Sequence, residues 1–332
     1  MDVGLYLKDF VDSRDRPTYE QVEDAADILA RARSWGFMGV YAPQHWVAHP
    51  NIWLEPIPLL ARMVPATEGL KLITGIILLP MHNPVHLAEQ VISIDHISNG
   101  RFVLGVGLGY RETELEATGT NRRERVARFE ESLKLMRMLW SGEEISFEGD
   151  FWQVHDAKVA ITPVQKPHPP IWIAAQSRRA TRRAAITADA CLLGPQQGWK
   201  DISHLAQVYK EALAEEGKNG LLGANRTIAI ARDRETAFRE AREAAEKKAG
   251  MYGGWNMQER GSVDLGLSGD RDLADWAIAG SPQECAEQIT RAHDEDGVGY
   301  IGLGFLNLPA EQAARIEYLQ LISEEVLPLL PK

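Results

Sequence analysis

Cysteine is nearly missing from this chain: Cys191 and Cys285 are the only two in 332 residues, and neither has the close partners of a CxxC pair or a zinc-ligand cluster. A disulfide framework and a structural zinc site are therefore excluded as organising devices, and a reducing compartment fits. Long apolar runs are missing as well, since no segment approaches the roughly 20 residues needed to span a bilayer. The opening MDVGLYLKDFVDSRDR mixes acids and bases where a secretory signal would be apolar. A cytoplasmic protein with no membrane partner is expected. Positive charge is in the minority, with a net charge of -11, which argues against nucleic acid or an anionic lipid surface as partner. There is no GxSxG elbow, no HExxH helix and no P-loop, so several common enzyme classes drop out. Neither a tandem repeat nor a low-complexity linker divides the chain.

What is present is an ordinary globular composition, 45% apolar and 25% charged, with short apolar runs alternating with longer amphipathic segments. That alternation predicts repeated βα units and a parallel sheet buried on both faces. Eight strands are expected at 3–7, 38–41, 71–78, 102–106, 171–174, 190–193, 227–231 and 300–304, giving an α/β fold, a (β/α)8 TIM barrel in one domain over 1–332. In the helix expected at 122–140, Val126, Phe129, Leu133, Met136 and Trp140 form one apolar stripe. A second helix starts at Pro84 and stops at Asn99-Gly100. Two insertions interrupt the barrel: a hairpin within about 142–170, centred on Gly149-Asp150, and a Gly-rich loop before the last strand, about 250–280, that reads as a lid over the barrel mouth.

Reactive groups in such a barrel collect just beyond the carboxyl ends of the strands. Four stretches pass this filter: 42–46 with Gln44, His45 and Trp46; 80–84; 107–111; and 175–179. The glycines of GVGLGY, 105–110, either let a ligand approach the backbone or serve a tight turn. Gln176 and Ser177 either gather an anion with the following backbone N–H groups or cap a helix whose arginines 178, 179, 182 and 183 face solvent. His45 can exchange protons near neutral pH or be a structural histidine. His49, His82 and His86 do not sit securely on one helix, so no metal is expected. Trp46, Trp53, Trp199 and Trp255 either line a pocket for a flat ring or pack beneath loops.

The ordered landmarks LITGIILLPMHNPVHLAEQVISIDHISNGRFVLGVGLGYRETELEATG, RFEESLKLMRMLW and PVQKPHPPIWIAAQS, leading to RRAAITADA, resemble the bacterial luciferase-like monooxygenase family, and the resemblance covers most of the chain. It implies a reduced flavin lying across the barrel mouth, either FMN or the deazaflavin F420. It also implies roles for particular positions. His45 matches the active-site histidine after the second strand, and Gly75-Ile76 lies where the family often has a non-prolyl cis peptide beneath the ring. Gly107, Leu108, Gly109 and Tyr110 would border the flavin, with Arg111 nearby, while Ala175, Gln176, Ser177 and Arg178 would hold its phosphate. Leu108 stands where luciferase itself has a phosphate-contacting arginine, so Arg178 or Arg179 is expected to supply the charge. Gln44 replaces an acidic residue often found before the histidine.

The resulting expectation is an FMN-dependent monooxygenase that takes reduced flavin from a separate reductase and uses dioxygen on a small organic substrate. No second domain for a nicotinamide is visible. An F420-dependent hydride-transferring oxidoreductase is the alternative, a non-catalytic flavin-binding protein the second alternative, and a homodimer the expected assembly.

Overall fold

A computed structural model describes residues 1–252 and 273–332. Its strands are β1 (Asp2–Tyr6), β2 (Gly39–Ala42), β3 (Lys71–Thr74), β4 (Ile77–Leu78), β5 (Phe102–Gly107), β6 (Ile145–Glu148), β7 (Gln153–Ala157), β8 (Ile171–Ala175), β9 (Ala190–Leu193), β10 (Leu221–Ile230), β11 (Ala277–Gly280) and β12 (Tyr300–Phe305). Parallel pairing runs β12-β1-β2-β3-β5-β8-β9-β10, and β10 returns to β12, so eight strands close into the expected barrel. Helices connect the strands and cover the outside, and helices such as Thr18–Ala32 and Arg125–Trp140 bury their apolar faces against the strands.

Outward-facing strand residues such as Leu5, Val40, Leu72 and Leu104 join the large core beneath the helices. The barrel interior is a separate, smaller core of Tyr41, Ile73, Val103, Trp172, Leu192 and Tyr300. Tyr300 meets Trp172 edge-on at 4.8 Å. Tyr6 and Ile76 pack on this plug but are only partly buried, so the filled interior ends at their level. Above it lies the mouth.

Several sequence expectations are refined. The third strand stops at Thr74, and after a cis Gly75-Ile76 peptide the chain pairs again as β4, with Ile77 opposite Val106 of β5. The seventh barrel strand begins at Leu221, six residues before the expected start, because Gly223, Asn225 and Arg226 dilute an apolar signal that burial between β9 and β12 restores. The region expected as a lid contains the end of the helix Arg234–Tyr252, a short helix Leu273–Trp276 and β11, which extends the β9 side of β10; residues 253–272, including Trp255, lie outside the described residues. The helix expected from 122 begins at Arg125 and buries Phe129, Leu133, Met136 and Trp140, but Val126 is 37% exposed and leaves the stripe. The hairpin is present as β6-β7. The helix Pro84–Ile97 is capped by Asn83, whose Oδ1 accepts the Val85 and His86 N–H groups, and ends at positive-φ Asn99 and Gly100. Among the described residues no helix is long and apolar enough to cross a membrane.

Candidate active site

The loop after β2 carries Gln44, His45 and Trp46 across the mouth toward the segment following β5. There a short helix, Glu112–Ala117, brings in a residue that the sequence did not single out. Glu114 is fully buried, and one of its oxygens, Oε1, accepts the His45 Nδ1–H at 2.7 Å, the Trp46 backbone N–H at 3.1 Å and an Arg111 N–H at 3.0 Å. Arg111 also donates to the Trp46 and Val47 carbonyls, so the carboxylate and its arginine together hold the loop from His45 to Val47. Burial by itself would raise the pKa of Glu114, but bonding to His45 and the charge of Arg111 outweigh it and hold the carboxyl below its ordinary value. The second oxygen, Oε2, is buried without a hydrogen-bond partner among the described residues.

A carboxylate on Nδ1 fixes the imidazole tautomer and leaves Nε2 as the ring nitrogen that can exchange a proton. Trp53 and Tyr110 flank the ring edge-on at 4.6 and 5.7 Å. His45 is therefore held by a buried acid and an aromatic wall, as a proton-handling group would be. His82 is differently placed: its Nε2–H bonds Gln44 Oε1 at 2.9 Å, and burial pushes its pKa down to about 4, so it stays neutral at pH 7.

The other expected residues divide into two groups around the rim. Gly75, Ile76, Gly107, Leu108, Gly109 and Tyr110 come together at the ends of β3 and β5. A Cβ at Gly105 would lie 1.8 Å from the Thr74 carbonyl oxygen, so glycine is required where these strands approach, and a Cβ at Gly107 would meet Ile76 Cδ1 at 2.5 Å and push that side chain aside. Gly109, with φ +70°, turns the chain away from the strand. Ile76, Leu108 and Ala174 present half-buried apolar surface there.

Ala175 is buried at the end of β8, while Gln176, Ser177 and Arg178 are exposed. Ser177 is the N-cap of the helix Arg178–Thr187, its Oγ accepting the Ala180 N–H at 3.4 Å. The N–H groups of Arg178 and Arg179 lie in the first turn, where a helix supplies no carbonyl for them, so capping and anion binding coexist here. Gln176 bonds Gln196 across to the loop after β9. Arg178 turns aside to His204 at 3.3 Å. A further cation at the rim is Arg125, which donates to the Gly109 carbonyl at 2.8 Å. Burial, followed by the charge of Arg122, lowers its pKa, and Arg183 of the Ser177 helix adds to the effect. Like charges gathered near Arg125 would be relieved by an anion.

These features fit a flavin-type cofactor: glycines that let a ring approach the backbone, apolar rim surface for its face, and a helix start with arginine nearby for a phosphate. Among the described residues no group of three or more His, Cys, Asp or Glu is arranged to hold a metal ion.

Comparison with known proteins places the whole chain. The family profile described as luciferase-like monooxygenase matches residues 1–298. An F420-dependent glucose-6-phosphate dehydrogenase of Amycolatopsis mediterranei is 28% identical over 328 residues, covering 92% of this chain and 94% of its own. Among solved structures, a monooxygenase from Streptomyces bottropensis superposes with a TM-score of 0.86 at 22% identity over 99% of both chains. The FMN-bound oxygenating constituent of 3,6-diketocamphane monooxygenase from Pseudomonas putida gives 0.82 at 22% identity, over 100% of this chain and 99% of its own.

Proposed function

Because the chain belongs to the luciferase-like monooxygenase family, we propose that it is an oxidoreductase that binds F420 at the barrel mouth and oxidises a small organic alcohol to a carbonyl compound, or runs the reverse reaction. The observation that carries this reading is the His45-Glu114 pair. Taking a hydride from a carbinol carbon also requires the hydroxyl proton to leave, and a tautomer-locked imidazole is suited to receive it. Bound F420 supplies hydride acceptance.

The chain's own residues account for the rest. His45 Nε2 takes the hydroxyl proton, and Glu114 holds the ring in register and stabilises the imidazolium that forms. Arg111 keeps Glu114 ionised and ties the loop beside it. The Ser177 helix start and Arg125 hold the phosphate of the cofactor, while Ile76, Leu108 and Gly107 border its ring. The full-length similarity to an enzyme named for F420 supports this assignment.

A second reading, the FMN monooxygenase fed by a reductase, draws on the fold similarity to two monooxygenases. A non-catalytic flavin binder would have little use for a buried carboxylate with one unpartnered oxygen, which costs stability.

Anaerobic incubation with oxidised F420 and a panel of secondary alcohols and glucose 6-phosphate should bleach the cofactor absorbance. His45→Ala should lower kcat by about 10²- to 10⁴-fold and leave the dissociation constant for F420 nearly unchanged. Formation of an oxygenated product from an organic substrate with reduced FMN and dioxygen, with no F420 reduction by any alcohol, would replace this reading with the second.

A further inference from the structure

Gln44 sits next to His45 in the chain, is 3% exposed, and bonds to Glu55 and to the stretch from Ile76 to His82 at the mouth. Its Oε1 accepts the Leu78 backbone N–H and the His82 Nε2–H, both at 2.9 Å. Its Nε2 donates to Glu55 Oε2 at 2.8 Å, and its backbone N–H donates to the Ile76 carbonyl at 3.2 Å. The other oxygen of Glu55 accepts the Trp46 indole N–H. The residues on either side of His45 are thus fastened to the start of the helix Pro56–Met63 and to the segment that borders the ring site.

We infer that Gln44 is the positioning residue of the active site: its side-chain amide fixes the backbone that presents His45, and an amide is the group this position requires. Two donors point at Oε1 and one carboxylate faces Nε2, so the position needs an acceptor and a donor on one planar group. A leucine fills the space and satisfies none of the three. A glutamate keeps the acceptor but sets a second carboxylate against Glu55, so one of the two must hold a proton for the contact to survive. Glu55 is the complement that makes a glutamine, rather than an acid, fit here.

The inference rests on the proposed role of His45, and its test has one arm that needs no cofactor. The variants are Gln44→Leu, Gln44→Glu and the reciprocal exchange Gln44→Glu with Glu55→Gln, in which the new amide at 55 donates to the carboxylate at 44 and still accepts from Trp46. In the cofactor-free protein, the His45 ring resonances should move in Gln44→Leu and return toward wild-type positions in the exchange. In turnover, Gln44→Leu should lose about tenfold or more in kcat, as misplaced reacting groups do, with F420 affinity and KM little changed. Gln44→Glu should be most active at acidic pH, where the pair shares a proton, and the exchange should recover kcat with no such bias. Unmoved His45 resonances in Gln44→Leu, or an exchange that restores neither resonances nor kcat, would overturn the inference. If Gln44→Leu does not fold, the comparison of Gln44→Glu with the exchange decides alone. Absence of F420 turnover in the wild type would count against the proposed function and leave the resonance test standing.

Discussion

At His82, burial decides the charge state, and the consequence reaches the stability of the whole chain. Its folded pKa falls from 6.5 to about 4, so the folded ring refuses a proton that the unfolded ring accepts. Unfolding then takes up a proton between those values, and the contribution, complete above pH 6.5, is lost as the pH falls toward 4. By linkage it amounts to up to about 3 kcal/mol. Urea midpoints measured across that window should fall with pH in the wild type and fall less steeply in His82→Gln, which keeps a donor for Gln44 but cannot titrate; equal slopes would show that the ring is not what titrates. Glu114 presents the opposite balance, because its partners overcome burial and keep it charged. Nothing in a single sequence separates Glu114 from Glu112 and Glu116, which share its short helix. Only the fold, which buries Glu114 against His45 and leaves Glu116 exposed, distinguishes them.

At the scale of elements, the inserted hairpin shows how one side chain can hold a turn. The Glu131 carboxylate accepts the N–H groups of Asp150, Phe151 and Trp152 at 2.7 to 2.9 Å, while Arg128 lies over the Phe151 ring at 4.6 Å. Glu131→Ala removes a charged acceptor from three donors at once and should cost about 2 to 3 kcal/mol at the hairpin. Amide exchange across β6 and β7 should quicken while turnover keeps its wild-type value; a loss of turnover would mean that the hairpin supports the mouth. The hairpin was legible because Gly149-Asp150 punctuates alternating residues, and the helix Pro84–Ile97 because Asn83-Pro84 and Asn99-Gly100 mark both ends. The strand β11 was not. Its sequence AIAG has little β propensity, and it pairs only because β10 outruns β9 and leaves an open edge beside it.

For the whole molecule, alternation of apolar and amphipathic segments was enough to specify the barrel, since strands buried on both faces and helices buried on one have few ways to pack. The site was legible in part. The rule that chemistry gathers beyond strand ends led to His45, Gly107 and Ser177, but long-range partners such as Glu114 and Arg125 arrive from the segments after β5, and a strand-end rule does not pair them. That Arg178 turns to His204 while Arg125 reaches the Gly109 carbonyl depends on side-chain direction, which periodicity does not carry. One cofactor would span two halves of the mouth, a proton-handling pair near β2 and an anion cradle near β8. A crystal structure with F420 bound tests that most directly. The ring should lie against Gly75-Ile76 and Gly107, facing His45, with the phosphate at the N–H groups that open the Ser177 helix. A cofactor found away from the mouth, or a phosphate bound at any other helix start, would contradict it.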